Sequence, residues 1–98
     1  MARIRWTNEA EKWLRSIRDY IAQDNPTAAQ RVVSAIYEKV QVLKDFPEIG
    51  YKYSTEAEGE IRILLYGHYR IAYLIKDKDL IDILGIFHSA MEIARYLP

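Results

Sequence analysis

The most constraining stretch of this chain is its last third, where three segments with strand-like alternation, residues 59–66, 69–75 and 80–88, follow one another across two short joints. Side chains alternate between the two faces of a strand, so residues of one parity share a face. Ile61, Ile63, Leu65, Ile71, Tyr73, Ile75, Ile81, Ile83 and Phe87 form one almost wholly apolar set, which predicts a buried sheet face. The other parity sets Arg62, Tyr66, Arg70, Asp82 and His88 among Leu64, Ala72, Leu74, Leu84 and Ile86. Cations and a histidine interleaved with large apolar residues are a poor fit to plain solvent-facing surface. The pattern predicts a face that receives a partner.

Upstream, Ile4 and Trp6 alternate with Arg3 and Arg5 as a short half-buried strand. Thr7 or Asn8 then offers a helix cap, and Asn8 with Glu11 has capping-box spacing. Ala10, Trp13, Leu14, Ile17 and Ile21 follow at helical intervals. Asn25-Pro26 starts a second helix, with asparagine as cap and proline where a missing N–H costs nothing. Its apolar stripe is Ala29, Val32, Val33, Ile36, Val40 and Leu43, and it must end near Lys44 or Asp45 because Pro47 disfavours helical geometry at Phe46. Residues 46–59, punctuated by Pro47, Gly50 and Gly59, read as the one long irregular segment. Gly67-His68 suits a two-residue type II′ hairpin turn, whereas the joint at 76–79 has no glycine and leaves its turn type open. Ser89 with Glu92 spells a capping box for a short terminal helix carrying Met91, Ile93 and Leu97.

The expected fold is therefore α+β in the order β-α-α-β-β-β plus a short C-terminal helix, residues 1–98 forming a single domain. Two amphipathic helices pack on one face of a small, mostly antiparallel sheet, over the apolar parity, and the mixed parity is left uncovered. With 98 residues the chain can bury one modest core. It has no cysteine and only His68 and His88, so disulfides are excluded and a metal site is not expected. No apolar run approaches the length of a membrane span, and the first six residues lack the apolar core of a secretion signal, so the cytoplasm is the expected address. Formal net charge is zero, which weighs against non-specific attraction to phosphate.

Four segments in series carry a likeness: Asp19-Tyr20-Ile21-Ala22-Gln23-Asp24-Asn25-Pro26-Thr27-Ala28-Ala29, Leu43-Lys44-Asp45-Phe46-Pro47-Glu48-Ile49-Gly50, Gly67-His68-Tyr69-Arg70-Ile71-Ala72-Tyr73 and Phe87-His88-Ser89-Ala90-Met91-Glu92-Ile93. In wording and order they resemble the ParE/RelE superfamily of bacterial type II toxins, over nearly the whole chain. The resemblance implies a toxin neutralised by a cognate antitoxin encoded beside it, whose extended or helical segment wraps the toxin, with oligomers arising through that complex and no cofactor. ParE-like members inhibit DNA gyrase by binding it, whereas RelE-like members cleave mRNA on the ribosome. The stretch from Tyr20 to Ala29 resembles the ParE side more, which makes gyrase the expected target and ribosome-bound mRNA the alternative. A degenerate toxin that retains only antitoxin binding is a third reading.

RNA cleavage through the 2′-hydroxyl needs a base, an acid and cations for the developing phosphorane charge. Arg62 and Arg70 are the candidate phosphate ligands and His88 the candidate acid; Glu58 or Glu60 would have to serve as base, and Lys52 matches only loosely the lysines RelE-like enzymes place there. After His88 the chain runs Ser89-Ala90-Met91-Glu92, with none of the cations that ribosome-dependent relatives usually carry there. If the protein acts by binding instead, the antitoxin-contacting set is Arg62, Leu64, Arg70, Leu74, Leu84 and Ile86. The plainer alternatives are that Arg62 and Arg70 pair with Asp82 across strands, and that His88 makes a structural hydrogen bond at a strand end. Trp13 reads as core, His68 as an exposed turn residue, and the tyrosines as either interface anchors or half-buried packing.

Overall fold

A computed structural model of the chain describes residues 1–77 and 79–98; Lys78, inside the joint at 76–79, lies outside the described residues. The order is β1 (Arg3–Trp6), α1 (Asn8–Ala22), α2 (Pro26–Gln41), a 3₁₀ turn (Val42–Lys44), β2 (Tyr51–Glu56), β3 (Gly59–Tyr66), β4 (Tyr69–Asp77), β5 (Leu80–His88) and a final 3₁₀ turn (Ile93–Arg95). The strands form one sheet ordered β1-β5-β4-β3-β2, parallel at β1–β5 and antiparallel elsewhere. The expected α+β architecture, with both helices on one face of a mostly antiparallel sheet, is what the chain adopts.

Local chemistry explains the boundaries. Thr7, not Asn8, caps α1: its hydroxyl accepts from the Ala10 N–H at 3.1 Å. The Asn8–Glu11 box does not form, since the Glu11 carboxylate accepts from the Tyr37 hydroxyl of α2 instead. Asn25 accepts from the Ala28 N–H with Pro26 in the first turn, as its spacing demands. At the β3–β4 hairpin Gly67 has φ 56° and no described non-glycine residue has positive φ, which leaves the II′ family of turns and excludes I′.

Two expectations are corrected. The stretch 46–59 is not irregular throughout, because β2 lies inside it and pairs with β3 through a bulge between Lys52 and Ser54. Tyr51, Tyr53 and Thr55 do alternate with Lys52, Ser54 and Glu56 and carry strand propensity, but the run holds no aliphatic residue, so its signal is weaker than that of the strands that follow. The terminal helix is only a 3₁₀ turn. The Ser89 N–H is spent on the His68 carbonyl at 2.7 Å and Glu92 pairs with Arg95, so neither group is left to close the capping box.

The larger correction concerns the two faces. A two-residue turn sets Tyr66 opposite Tyr69, so every pair along β3–β4 joins an odd position to an even one: Ile61 with Leu74, Ile63 with Ala72, Leu64 with Ile71. Cross-strand partners share a face. The odd set of β3 and the odd set of β4 therefore point in opposite directions. In β5 the pairing shifts between Gly85 and Ile83, so parity also switches at Leu84. The core under the helices contains Leu64, Ile71, Tyr73, Ile81, Ile83 and Ile86, with Ala10, Leu14, Ile36, Val40 and Leu43 from above. The far face has its own cluster of Ile61, Ile63, Ala72, Leu74, Phe87 and Leu97. It is partly covered from within, because the segment after the last 3₁₀ turn folds back over it.

Asp82, 4% exposed, is the one buried charged residue among those described. Arg5 of the neighbouring β1 meets it with both Nε (2.8 Å) and Nη2 (2.9 Å), and Lys76 of β4 lies at 3.2 Å. Neither Arg62 nor Arg70 reaches it: Arg62 lies on the other face, and Arg70 stands four residues up β4 from Leu74, the partner of Asp82. The hydrogen bonds from Arg5, opposed by burial and reinforced by Lys76, hold the Asp82 carboxyl below its ordinary range. A carboxyl depressed in the folded state adds stability above its unfolded pKa and loses it as pH falls through the folded value. Asp82→Asn is expected to lower the thermal midpoint at pH 7, with the gap to the unaltered protein closing below about pH 4. Thermal melts between pH 7 and pH 2 check this; a gap independent of pH would show that the carboxylate is not linked to folding.

Candidate functional site

The candidate residues do not converge. Arg62, Leu64 and Ile86 belong to the helix side of the sheet, whereas Arg70, Leu74 and Leu84 belong to the far side. Leu64 and Ile86, 5% and 0% exposed, are packed beneath the helices and have no surface to offer a partner. Leu74, itself only 6% exposed, and the half-buried Leu84 lie in the lining of an open groove that no helix covers.

Arg62 holds its own chain. Its Nη1 donates to the backbone carbonyls of Glu48 (3.0 Å) and Gly50 (2.6 Å), and its Nε donates to Glu60 at 2.6 Å. Lys52 stands 3.5 Å from the other Glu60 oxygen, and the Arg62 side chain is only 17% exposed. The hydrogen bond from Arg62 holds the Glu60 carboxyl below its ordinary range, and the same bond raises the guanidinium. A general base for neutral pH needs the opposite shift. Beside Arg62, the Tyr73 hydroxyl donates to the Pro47 carbonyl (2.6 Å) and accepts from the Gly50 N–H (3.0 Å). Burial raises the Tyr73 phenol, which keeps it a neutral group able to do both. Gly50 must be glycine here, since a Cβ would fall 2.6 Å from the Ile63 carbonyl oxygen and 2.8 Å from the Tyr73 hydroxyl. Arg62 and Tyr73, cross-strand partners on β3 and β4, thus clamp the backbone of residues 47–50.

Arg70 does similar work at the other end of the sheet. Its Nη2 donates to the carbonyls of Met91 (2.5 Å) and His88 (3.5 Å), pinning the turn after β5. His88 accepts from the Ala90 N–H through Nδ1 at 3.1 Å, the structural bond anticipated for it, and its ring stacks on His68 with centroids 6.1 Å apart. Arg62 is three residues along β3 from Leu65, the partner of Arg70, which separates the two guanidinium attachment points by about 10 Å along the strand and puts them on opposite faces. No single phosphate can be gripped by both.

The far face carries a groove of about 520 Å³. Its floor is Ile61, Leu74, Leu84 and Phe87, and one wall is Trp13 with Tyr96 and Leu97. Trp13 meets Phe87 edge to face at 4.8 Å and Tyr96 at 5.1 Å, while Tyr96 stacks on Phe87 at 5.4 Å. Three carboxylates, Glu9, Glu56 and Glu58, stand at the margin. This is an apolar trough with an acidic edge, suited to an apolar segment carrying cations. Trp13, Ile61, Phe87 and Tyr96 were not anticipated as its lining. The helical spacing of Trp13 marked it as core, whereas it reaches from α1 around the edge of β5 and packs against both clusters. Among the described residues no helix is long and apolar enough to cross a membrane, and no three histidine, aspartate or glutamate side chains are gathered as metal ligands would be.

Residues 4–93 match the model of the family described as the ParE toxin of the type II toxin-antitoxin system parDE. The chain is 36% identical over 90 residues to the toxin RelE2 of Caulobacter vibrioides, covering 92% of this chain and 98% of that protein. It is 37% identical over 87 residues to the putative toxin Y4kP of Sinorhizobium fredii, covering 89% and 88% respectively. Among solved structures, a chain of the chromosomal ParDE system from P. aeruginosa superposes with a TM-score of 0.70 at 28% identity, covering 90% of this chain and 96% of that one.

Removing the Tyr73 hydroxyl isolates the clamp. Tyr73→Phe leaves the Gly50 N–H and the Pro47 carbonyl without their partner, and is expected to cost about 1–3 kcal/mol in urea unfolding. Hydrogen exchange read residue by residue is expected to show lost protection at the Gly50 amide first. Unchanged exchange there would mean that the hydroxyl does not hold the loop.

Proposed function

The chain belongs to the ParE toxin family of type II toxin-antitoxin systems, and on that footing we propose that it arrests growth by binding its target, DNA gyrase, rather than by cutting RNA, and that a cognate antitoxin neutralises it. The observation that carries this reading is the employment of the candidate nuclease residues. Arg62 and Arg70 are spent on backbone carbonyls at opposite ends and faces of the sheet, and His88 accepts from the Ala90 N–H. Glu60, the residue nearest to a base, is ion-paired and poorly disposed to take a proton. Zero net charge points the same way, because a protein that grips mRNA on a ribosome gains from a cationic surface.

Antitoxin binding is assigned to the far-face groove. An amphipathic segment lays its apolar stripe on Leu84, Trp13 and Tyr96, over a floor in which Ile61, Leu74 and Phe87 are themselves nearly buried, and sets its cations against Glu9, Glu56 and Glu58. Of the six residues first expected to contact it, Leu84 remains as a direct contact, with Leu74 beside it in the nearly buried floor. Arg70, toward the hairpin end of the same face, pins the turn after β5, and Arg62, Leu64 and Ile86 lie on the helix side, outside the groove.

Two experiments test this reading. Leu84→Asp puts a charge on the groove floor and is expected to weaken antitoxin association by about 2 kcal/mol, near thirtyfold, in calorimetry with a far-UV spectrum unchanged; unaltered affinity would remove the antitoxin from this groove. Inducing the chain without its antitoxin is expected to stop growth without new mRNA 5′ ends phased to codons, and the purified protein is expected to inhibit gyrase supercoiling. Codon-phased ends would establish ribosome-dependent cleavage. Continued growth with soluble protein present would identify a disarmed relative.

A further inference from the structure

On the helix side of the sheet, away from the groove, the segment after the Val42–Lys44 turn exposes two large apolar side chains that the reading above does not use. Phe46 is 61% exposed and Ile49 is 51% exposed. With Pro47 and Ile75 they border a shallow hollow of about 570 Å³, flanked by the carboxylates of Glu48 and Asp77. None of these residues lines the far-face groove. Exposed apolar side chains on a mobile loop would collapse onto the nearest apolar surface. Here they are prevented from doing so, because the backbone between and beside them is bonded at Pro47, Glu48 and Gly50 to the Tyr73 hydroxyl and the Arg62 guanidinium, and the Ile49 N–H closes a turn onto the Phe46 carbonyl at 3.2 Å. A buried tyrosine and a mostly buried arginine are thus committed to holding an apolar pair out in water. Nothing in folding is gained from that exposure, whereas a rigid aromatic and an aliphatic anchor are what a protein contact gains from, since little ordering entropy remains to be lost on binding.

We propose that Phe46 and Ile49, presented by the Arg62–Tyr73 clamp, form the contact through which this toxin engages its target, a folded protein offering an apolar hollow rimmed by basic side chains. The charge of the rim follows from Glu48 and Asp77, which flank the pair and meet arginine or lysine favourably at the edge of such a contact. The opposite placement of the groove means that the antitoxin and the target are held by different residues. The proposal rests on growth arrest by binding and not on gyrase being the protein bound. Arg62 and Tyr73 act in it as positioning residues.

The test is the double variant Phe46→Ser/Ile49→Ser, induced without antitoxin, with its melting temperature and its calorimetric affinity for the antitoxin measured in parallel. The expected result is loss of growth arrest with antitoxin affinity within threefold of the unaltered chain. Arrest at undiminished potency would overturn the proposal, as would joint loss of arrest and antitoxin affinity in a folded variant. It falls as well if the unaltered chain does not arrest growth. Should the double variant fail to fold, Glu48→Lys reverses an exposed charge beside the same pair and is expected to demand several-fold more protein for the same arrest; unchanged potency overturns the proposal. Supercoiling assays with purified gyrase separate the two readings. If the unaltered chain arrests growth but leaves supercoiling intact, gyrase is the wrong target, and the Phe46–Ile49 contact is still judged by the growth of its variants.

Discussion

The two-residue turn at Gly67 and His68 governs everything built on this sheet. By placing Tyr66 opposite Tyr69 it fixes an odd-to-even register along two central strands, and a slip of one residue would turn every side chain of β4 to the other face. With that register, Tyr73 points toward the helices beside Arg62, where the two can reach the backbone of residues 47–50, and Leu74 points away beside Ile61, where the groove lies. The bulge at Leu84 then lets β5 follow the same two faces while presenting Ile81 and Ile83 to the helices at one end and Ile86 at the other. Both candidate surfaces are consequences of one turn and one bulge.

The strong polar side chains of the sheet serve the architecture. Asp82 joins β1 to β4 across β5 through Arg5 and Lys76, Arg62 ties β3 to the loop before β2, and Arg70 ties β4 to the turn after β5. Arg62 and Arg70 each satisfy carbonyls that strand pairing leaves over. A guanidinium so engaged is a poor phosphate ligand, because freeing it would leave those carbonyls unpaired. The surfaces left over are an apolar groove and an exposed apolar pair, each with charge at its margin.

Much of the fold was legible in the sequence, for reasons that can be named residue by residue. Ala10, Leu14, Ile36 and Val40 repeat at helical intervals, Asn25-Pro26 starts a helix in the expected way, and the strands of the last third alternate. What escaped was relational. Parity within one strand says nothing about its neighbour until the turn is counted, and counting Gly67-His68 as two residues would have shown that Leu65 and Ile71 cannot share a face. The bulge at Leu84 left no mark, since a switch of parity inside Ile81-Asp82-Ile83-Leu84-Gly85-Ile86 is hidden by apolar residues on both sides. The groove was half visible, in Leu74 and Leu84, while Trp13 and Tyr96 enter it through tertiary placement that no local spacing encodes. The clamp was the least legible part, because a buried tyrosine and an arginine in mid-strand give no hint that their partners are the carbonyls of a loop a dozen or more residues earlier.

The separation of the two surfaces bears on how an antitoxin would neutralise such a toxin. A segment confined to the far-face groove would not touch Phe46 or Ile49, so it would not compete directly for those side chains. Two routes remain: bulk carried by the antitoxin beyond the groove, or an effect transmitted through the sheet. β3 is placed for the second. Ile61 and Ile63 form part of the far-face cluster, and Arg62, between them, points the opposite way and holds the loop at Glu48 and Gly50. Any shift of β3 on filling the groove would be felt at the clamp within one residue. Coupling of this kind is reciprocal, so a target seated on the loop would alter antitoxin affinity by the same factor that the antitoxin alters the target's. Steric bulk admits no complex of all three partners, whereas transmission through β3 admits one at reduced affinity, and that difference in stoichiometry distinguishes the two routes.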